Sequence, residues 1–240
     1  MIRTERRGAV ALITLDRQER RNAIDRQACQ DLADAVADLS DARVMVLTGA
    51  GGHFCAGADL TQVEDNAFVE ALRGALLALR DAPAPVIAAV EGAALGAGTQ
   101  LAIACDLRVA TPDARFGIPA AKLGLMVDHW TVQRLALLAG HGPARSMLLA
   151  AEVVDGADAS GIGLVQRLGS RDEALAWAAE IATLAPLTIA GHKLMLNRCE
   201  TEVRDDPAVT AAFARAWRSA DLAEGMAAFN ERRPPRFTGA

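Results

Sequence analysis

Two glycine-bearing loops and one short acidic segment hold the chemistry-bearing residues of this 240-residue chain. The most informative stretch is Val86 to Asp106, V-I-A-A-V-E-G-A-A-L-G-A-G-T-Q-L-A-I-A-C-D. It opens as an apolar run, loosens at Gly92, Gly96 and Gly98, and resumes at near-helical spacing. That order predicts a strand, a glycine loop and a helix start. The backbone N–H groups of Ala97 and Gly98 then lack intrahelical acceptors, and the helix dipole adds partial positive charge. Such a place suits a developing anion. The plainer account is a tight turn whose glycines permit close packing. A second loop, His53 to Leu60 (H-F-C-A-G-A-D-L), also follows an apolar strand. The acidic segment is L-M-V-D-H-W, Leu125 to Trp130, where Asp128 before Trp130, Thr131 and Val132 reads as an N-cap.

Elements of an alternating α/β pattern must hold these loops. Ala9 to Leu15 and Arg43 to Thr48 read as strands, with a helix between them marked by Leu32, Ala35, Val36 and Leu39. Val69 to Leu79 reads as a helix, and Ala82-Pro83-Ala84-Pro85 breaks the chain before the long stretch. Leu107 to Ala110 and Ala114 to Gly117 are further strands, so β-α-β-α units recur to about Val165. Helices are predicted for Glu173 to Leu184, Thr188 to Arg198 and Pro207 to Phe229, with no strand after Leu164-Val165.

Composition narrows the function class. Hydrophobic residues make up 52% of the chain with 4% aromatic and no Tyr, a globular composition whose core rests on Ala, Leu and Val. A net charge of −5 provides no general attraction for nucleic acid, so an anionic ligand needs locally placed cations. Cys29, Cys55, Cys105 and Cys199 are widely spaced without a C-x-x-C pair, which points to reduced thiols and a cytoplasmic protein. Charges interrupt the N-terminus before any apolar run, and Glu91, Gln100 and the glycines spoil the longest apolar region as a membrane span. The four histidines show no metal spacing, and neither Ser146 nor Ser160 has a neighbouring base or an elbow context.

Seven short motifs in a fixed order resemble the crotonase (enoyl-CoA hydratase/isomerase) family. They are L-D-R-Q-E-R-R-N-A from Leu15, V-L-T-G from Val46, F-C-A-G-A-D-L from Phe54 and E-G-A-A-L-G-A-G from Glu91. A-C-D-L-R from Ala104, F-G-I-P from Phe116 and L-G-L from Leu123 complete the series. The resemblance implies a spiral of ββα turns over residues 1–185 and a helical trimerisation region over 186–240, with trimers often paired into hexamers. It implies an acyl-CoA thioester as ligand, with no separate cofactor. Two backbone amides, of Ala58 and Ala97, would form an oxyanion hole for the thioester carbonyl. In a desolvated site one such donor is worth about 3–4 kcal/mol to an enolate-like transition state. CoA-binding positions fall on Arg20, Arg21, Ala56, Asp59, Phe229 and Arg232, the last two matching positions lent by a neighbouring subunit. Guanidinium groups suit the CoA phosphates. Asp59 and Asp106 recur across the family whatever the reaction, so both also read as loop-holding residues.

The chain departs from the hydratase pattern where the acids belong. The family's two glutamates would stand at Gln100 and Ala120, and neither position is acidic. A glutamine orients water but does not titrate near neutral pH, and alanine supplies nothing. Losing one general acid or base typically costs about 10²–10⁴-fold in rate. Asp128 is the acid that remains, at a place where dienoyl-CoA isomerases of the family carry an aspartate. The expected function is therefore acyl-CoA binding in lipid metabolism with hydratase chemistry lost. The alternatives are isomerase or lyase chemistry through Asp128, ordinary hydratase activity, and an interaction scaffold.

Overall fold

A computed structural model describes residues 1–61, 66–199, 207, 211, 214 and 217–236. Strands β1 (Ile2–Arg7), β2 (Val10–Leu15), β3 (Val44–Gly49), β4 (Val86–Val90), β6 (Leu107–Ala110) and β9 (Arg167–Leu168) form one six-stranded sheet in the order β1-β2-β3-β4-β6-β9. All its pairings are parallel except the β1–β2 hairpin. The central strands are buried on both faces, which is why V-I-A-A-V reads as an unbroken apolar run rather than an alternation. Val10, Leu12, Val44, Val46, Ile87 and Ala89 pack toward helix α7 (Arg171–Ile181), on its Ala174 and Ala178. Their neighbours along each strand, Ala11, Ile13, Met45, Leu47 and Ala88, face the main core.

That core lies under α1 (Arg26–Asp38), α2 (Asn66–Asp81), α3 (Ala97–Ala104), α4 (His129–Ala139) and α5 (His141–Leu149). A smaller sheet of β5 (Ala93–Leu95), β7 (Arg115–Gly117) and β8 (Val153–Asp155) lies beside the large one, and α6 (Gly156–Gly161) follows β8. β4, β5 and α3 make one ββα turn, and β6, β7 and α4 make the next. Helices α8 (Pro186–Cys199) and α9 (Ala220–Glu231) end the described chain; the one helix expected over Pro207 to Phe229 is broken at Arg218 and Ser219, because the Ser219 hydroxyl accepts from Leu222 N and caps a new helix there.

Four strands depart from the sequence expectation, among them β8, a strand of three residues held by pairing with β7. β1 carries I-R-T-E-R-R, largely exposed, because an edge strand contacts the core through little of its surface and charge there discourages edge pairing. β9 lies beyond Val165, where no strand was expected; it is two exposed residues held by pairing with β6. β5 lies inside the expected glycine loop, where three residues carry no period long enough to read. Among the described residues no single helix is long and apolar enough to cross a membrane.

The C-terminal helices are tied to the core by specific polar contacts. Lys193 on α8 is buried and donates to Asp106 Oδ2 at 2.7 Å, to Ala84 O at 3.0 Å and to Leu79 O at 3.4 Å. Asp106 Oδ2 also accepts from Val86 N at 2.7 Å, which is the loop-holding role expected of it. α9 sits so close to the 3-10 turn Pro119–Leu123 that a Cβ on Gly225 would lie 2.3 Å from Leu123 O.

Candidate active site

Two backbone amides are turned out of the hydrogen-bond ladders toward one cavity. Ile24 and Ala58 form a parallel bridge in which Ile24 N donates to Gly57 O and Asp59 N donates to Ile24 O, both at normal length. In such a bridge the residue between the two bonds points the other way, so the Ala58 amide is released. Three residues earlier, Cys55 is bonded to Ala93 and Leu95 of β5, which places the two glycine loops side by side. Gly96 precedes α3 with φ +54° and donates to Gly117 O at 2.8 Å. The amides of Ala97 and Gly98 then open the helix. Neither they nor Ala58 has a hydrogen-bond acceptor among the described residues.

Close approach sets the spacing of these donors. A Cβ on Gly98 would lie 2.1 Å from the Cys55 carbonyl oxygen, so only glycine lets α3 rest on the first loop. Gly57, with φ +127°, provides the turn immediately before Ala58, as Gly96 does before Ala97. Two buried cations stabilise the far end of α3: Arg134 Nε donates to Ile103 O at 2.8 Å, and Arg108 Nη1 to Ala102 O at 3.1 Å and Cys105 O at 2.9 Å. Cations at a helix C-terminus complement its dipole and leave the positive end facing the cavity.

The cavity has a volume of about 1110 Å³. Ala58, Ala97, Gln100, Ala120 and Asp128 all line it, bringing together residues spread over 71 positions of sequence. Gln100 is buried, and its Oε1 accepts from the Thr131 hydroxyl at 3.1 Å. Asp128 caps α4: its Oδ1 accepts from Thr131 N at 3.0 Å. The N-cap reading of Asp128 is therefore correct, and one carboxylate oxygen is occupied by it. Its other oxygen takes no protein donor among the described residues. Leu72, Leu76, Leu123, Leu125 and Met126 make the interior apolar. Trp217 Nε1 donates to Met126 O at 3.0 Å, and both residues line the cavity.

Residues 5–240 match the family model for enoyl-CoA hydratase/isomerase. The chain belongs to the crotonase family. The "Probable enoyl-CoA hydratase echA6" of Mycobacterium tuberculosis (strain CDC 1551 / Oshkosh) is 46% identical over 238 residues, covering 97% of each chain. A crystal structure of an enoyl-CoA hydratase from Mycobacterium avium subsp. paratuberculosis K-10 has a TM-score of 0.87 at 28% identity, over 99% of this chain and 98% of that one. Methylmalonyl-CoA decarboxylase in complex with 2-nitronate-propionyl-CoA reaches a TM-score of 0.93 at 23% identity, over 100% and 98%, a likeness of fold alone.

The crotonase positions expected to touch CoA divide in this structure. Arg20, Ala56, Asp59 and Phe229 line the cavity, whereas Arg21 and Arg232 do not. Arg21 acts through its backbone, its carbonyl accepting from Ala56 N at 3.0 Å. Arg232 is the exposed left-handed residue that ends α9, and Phe237 of the basic tail lies outside the described residues. Phe229 lines the cavity of its own chain.

Asp59 holds its loop, as its recurrence in the family suggested. It pairs with Arg17 Nη1 at 2.8 Å and accepts from the Thr61 hydroxyl at 2.8 Å. Burial pushes its carboxyl up, but the Thr61 hydroxyl and amide and the Arg17 guanidinium together outweigh it and hold it below the usual range. Asn22, buried in a left-handed turn, donates to Ala50 O at 2.8 Å and His53 O at 2.6 Å, while His53 Nδ1 accepts from Ala93 N at 3.2 Å. Burial first of all pushes the Cys29, Cys55 and Cys105 thiols up to about 12, so none is a nucleophile at neutral pH.

Sequence reasoning missed Thr131, Arg17 and Arg73. Thr131 carried a usable signal, since it stands three residues after a predicted N-cap. Arg73 on α2 lines the cavity, as Arg20 does, and neither makes an ion pair among the described residues.

Proposed function

We propose that this chain binds an acyl-CoA thioester and has lost hydratase chemistry. The observation that carries the reading is the pair of amides, of Ala58 and Ala97, that have no acceptor among the described residues and line a largely apolar cavity with Gln100 and Ala120. The amides suit the thioester carbonyl, the apolar wall suits an acyl chain, and Arg20 and Arg73, which make no ion pair among the described residues, suit CoA phosphates. A carboxylate absent from both glutamate positions leaves water without a general base there. Acyl-CoA is the ligand, no further cofactor is invoked, and a homotrimer or hexamer is the assembly the family implies. The acyl-CoA analogue held by a neighbour of the same fold is consistent with this reading.

Calorimetric titration of the purified protein with saturated acyl-CoAs is expected to give stoichiometric binding. Crotonyl-CoA should be hydrated no faster than in buffer. Absence of binding at high micromolar ligand overturns the reading.

A second reading, double-bond isomerisation through Asp128, draws on the free carboxylate oxygen that Asp128 keeps beside the cavity. Asp128→Asn separates the two, because asparagine caps a helix as well as aspartate but carries no transferable proton. If enoyl- or dienoyl-CoA turnover exists, it should fall by about 10²–10⁴-fold in this variant with stability unchanged. Turnover that survives the change removes Asp128 from the chemistry.

A further inference from the structure

The Gln100 carboxamide has its oxygen engaged, and the residue lines the cavity. Its Oε1 accepts from the Thr131 hydroxyl at 3.1 Å, and Thr131 is fully buried, so the carboxamide is held in one orientation. That orientation presents Nε2 with two N–H donors. Neither has an acceptor among the described residues, although Gln100 is only 8% exposed. Buried donors left unpaired are costly, and a site built around one rejects ligands that cannot accept from it.

Position along the helix says which ligand atom this donor meets. Ala97 and Gln100 are three residues apart on α3, on one face, and about 4.5 Å apart along the axis. Helical side chains lean toward the N-terminus, so the carboxamide reaches back toward the level of the Ala97 amide. With the thioester carbonyl at Ala97 and Ala58, the next atom capable of accepting lies on C3, two bonds from the carbonyl carbon. Ala120 shares this wall and offers neither a competing donor nor a negative charge. A carboxylate at position 100 would repel the lone pairs of a C3 oxygen. The carboxamide attracts them.

We propose that Gln100 selects acyl-CoA thioesters bearing an oxygen acceptor at C3, with the 3-oxoacyl class as its best ligands. This rests on the acyl-CoA reading above and refines it. A ketone oxygen is an acceptor only, and so complements a donor-only group without having to surrender a proton.

The test is a matched pair, decanoyl-CoA and 3-oxodecanoyl-CoA, titrated calorimetrically into the wild-type chain and two variants. The wild type should bind the 3-oxo ligand about tenfold more tightly, the factor one added hydrogen bond supplies. Gln100→Leu should bring the ratio to about one. Gln100→Glu keeps an acceptor for Thr131 but replaces the donors with charge, and should bring the ratio below one even if the leucine variant does not fold. A merely structural Gln100 would shift both affinities together and leave their ratio intact, which overturns the proposal. Equal affinities in the wild type overturn it alone, whereas no binding of either thioester overturns the acyl-CoA reading as well.

Discussion

Lys193→Met is expected to destabilise the protein by about 3 kcal/mol, the lower end of what breaking a buried ion pair costs. The side chains of Lys193 and Asp106 are 7% and 20% exposed, so the carboxylate left behind retains some access to water. Methionine fills most of the lysine's volume but returns no hydrogen bond to Leu79 O, Ala84 O or Asp106. Three elements lose a shared anchor together: the end of α2, the turn before β4 and helix α8. Chemical denaturation of the wild type and the variant at neutral pH measures the difference. Adding Asp106→Asn should recover part of the loss, since the stranded charge is then removed while Val86 N keeps its acceptor. A cost under about 1 kcal/mol for Lys193→Met would mean that the pair is dispensable, as surface pairs are.

Gln100→Glu together with Ala120→Glu should raise hydration of crotonyl-CoA by about 10²–10⁴-fold over the wild type, the range one effective general acid or base supplies. Both positions line the cavity that holds the unbonded amides, and the Thr131 hydroxyl is placed to donate to a new carboxylate at position 100. Each single substitution should give less, because water needs one group to take its proton and another to orient it. The measurement is the loss of the enoyl chromophore with time. A folded double variant that binds acyl-CoA yet hydrates no faster than the wild type would show that acids at these two positions do not suffice for hydration in this cavity.

Both predictions concern residues whose meaning depends on distant partners, and they mark the boundary between sequence and structure in this chain. The two glycine loops were legible in sequence because backbone donors depend on local turns, and Gly57, Gly96 and Gly98 are the residues those turns require. The strands buried on both faces were legible for the same reason, as apolar runs between breakers. Asp128 could be read as an N-cap because capping spans three residues. β1, β5, β8 and β9 could not be read: an edge strand needs no apolar period, and two or three residues are too few to show one.

An α/β chain of crotonase pattern is legible from local sequence, as are the two glycine loops and the Gln100 and Ala120 that stand where the resemblance implies glutamates. Which polar residues are already paired becomes visible when the elements pack. Lys193 meets Asp106 across 87 positions, Thr131 meets Gln100 across 31, and Arg17 reaches Asp59 from another loop. A lysine or glutamine in sequence looks the same whether it ends in solvent or in a cavity. Its partner is set by how helices dock on the sheet, a property of the packed core and not of neighbouring residues. That docking pairs the Gln100 carboxamide with Thr131 on the wall of the cavity.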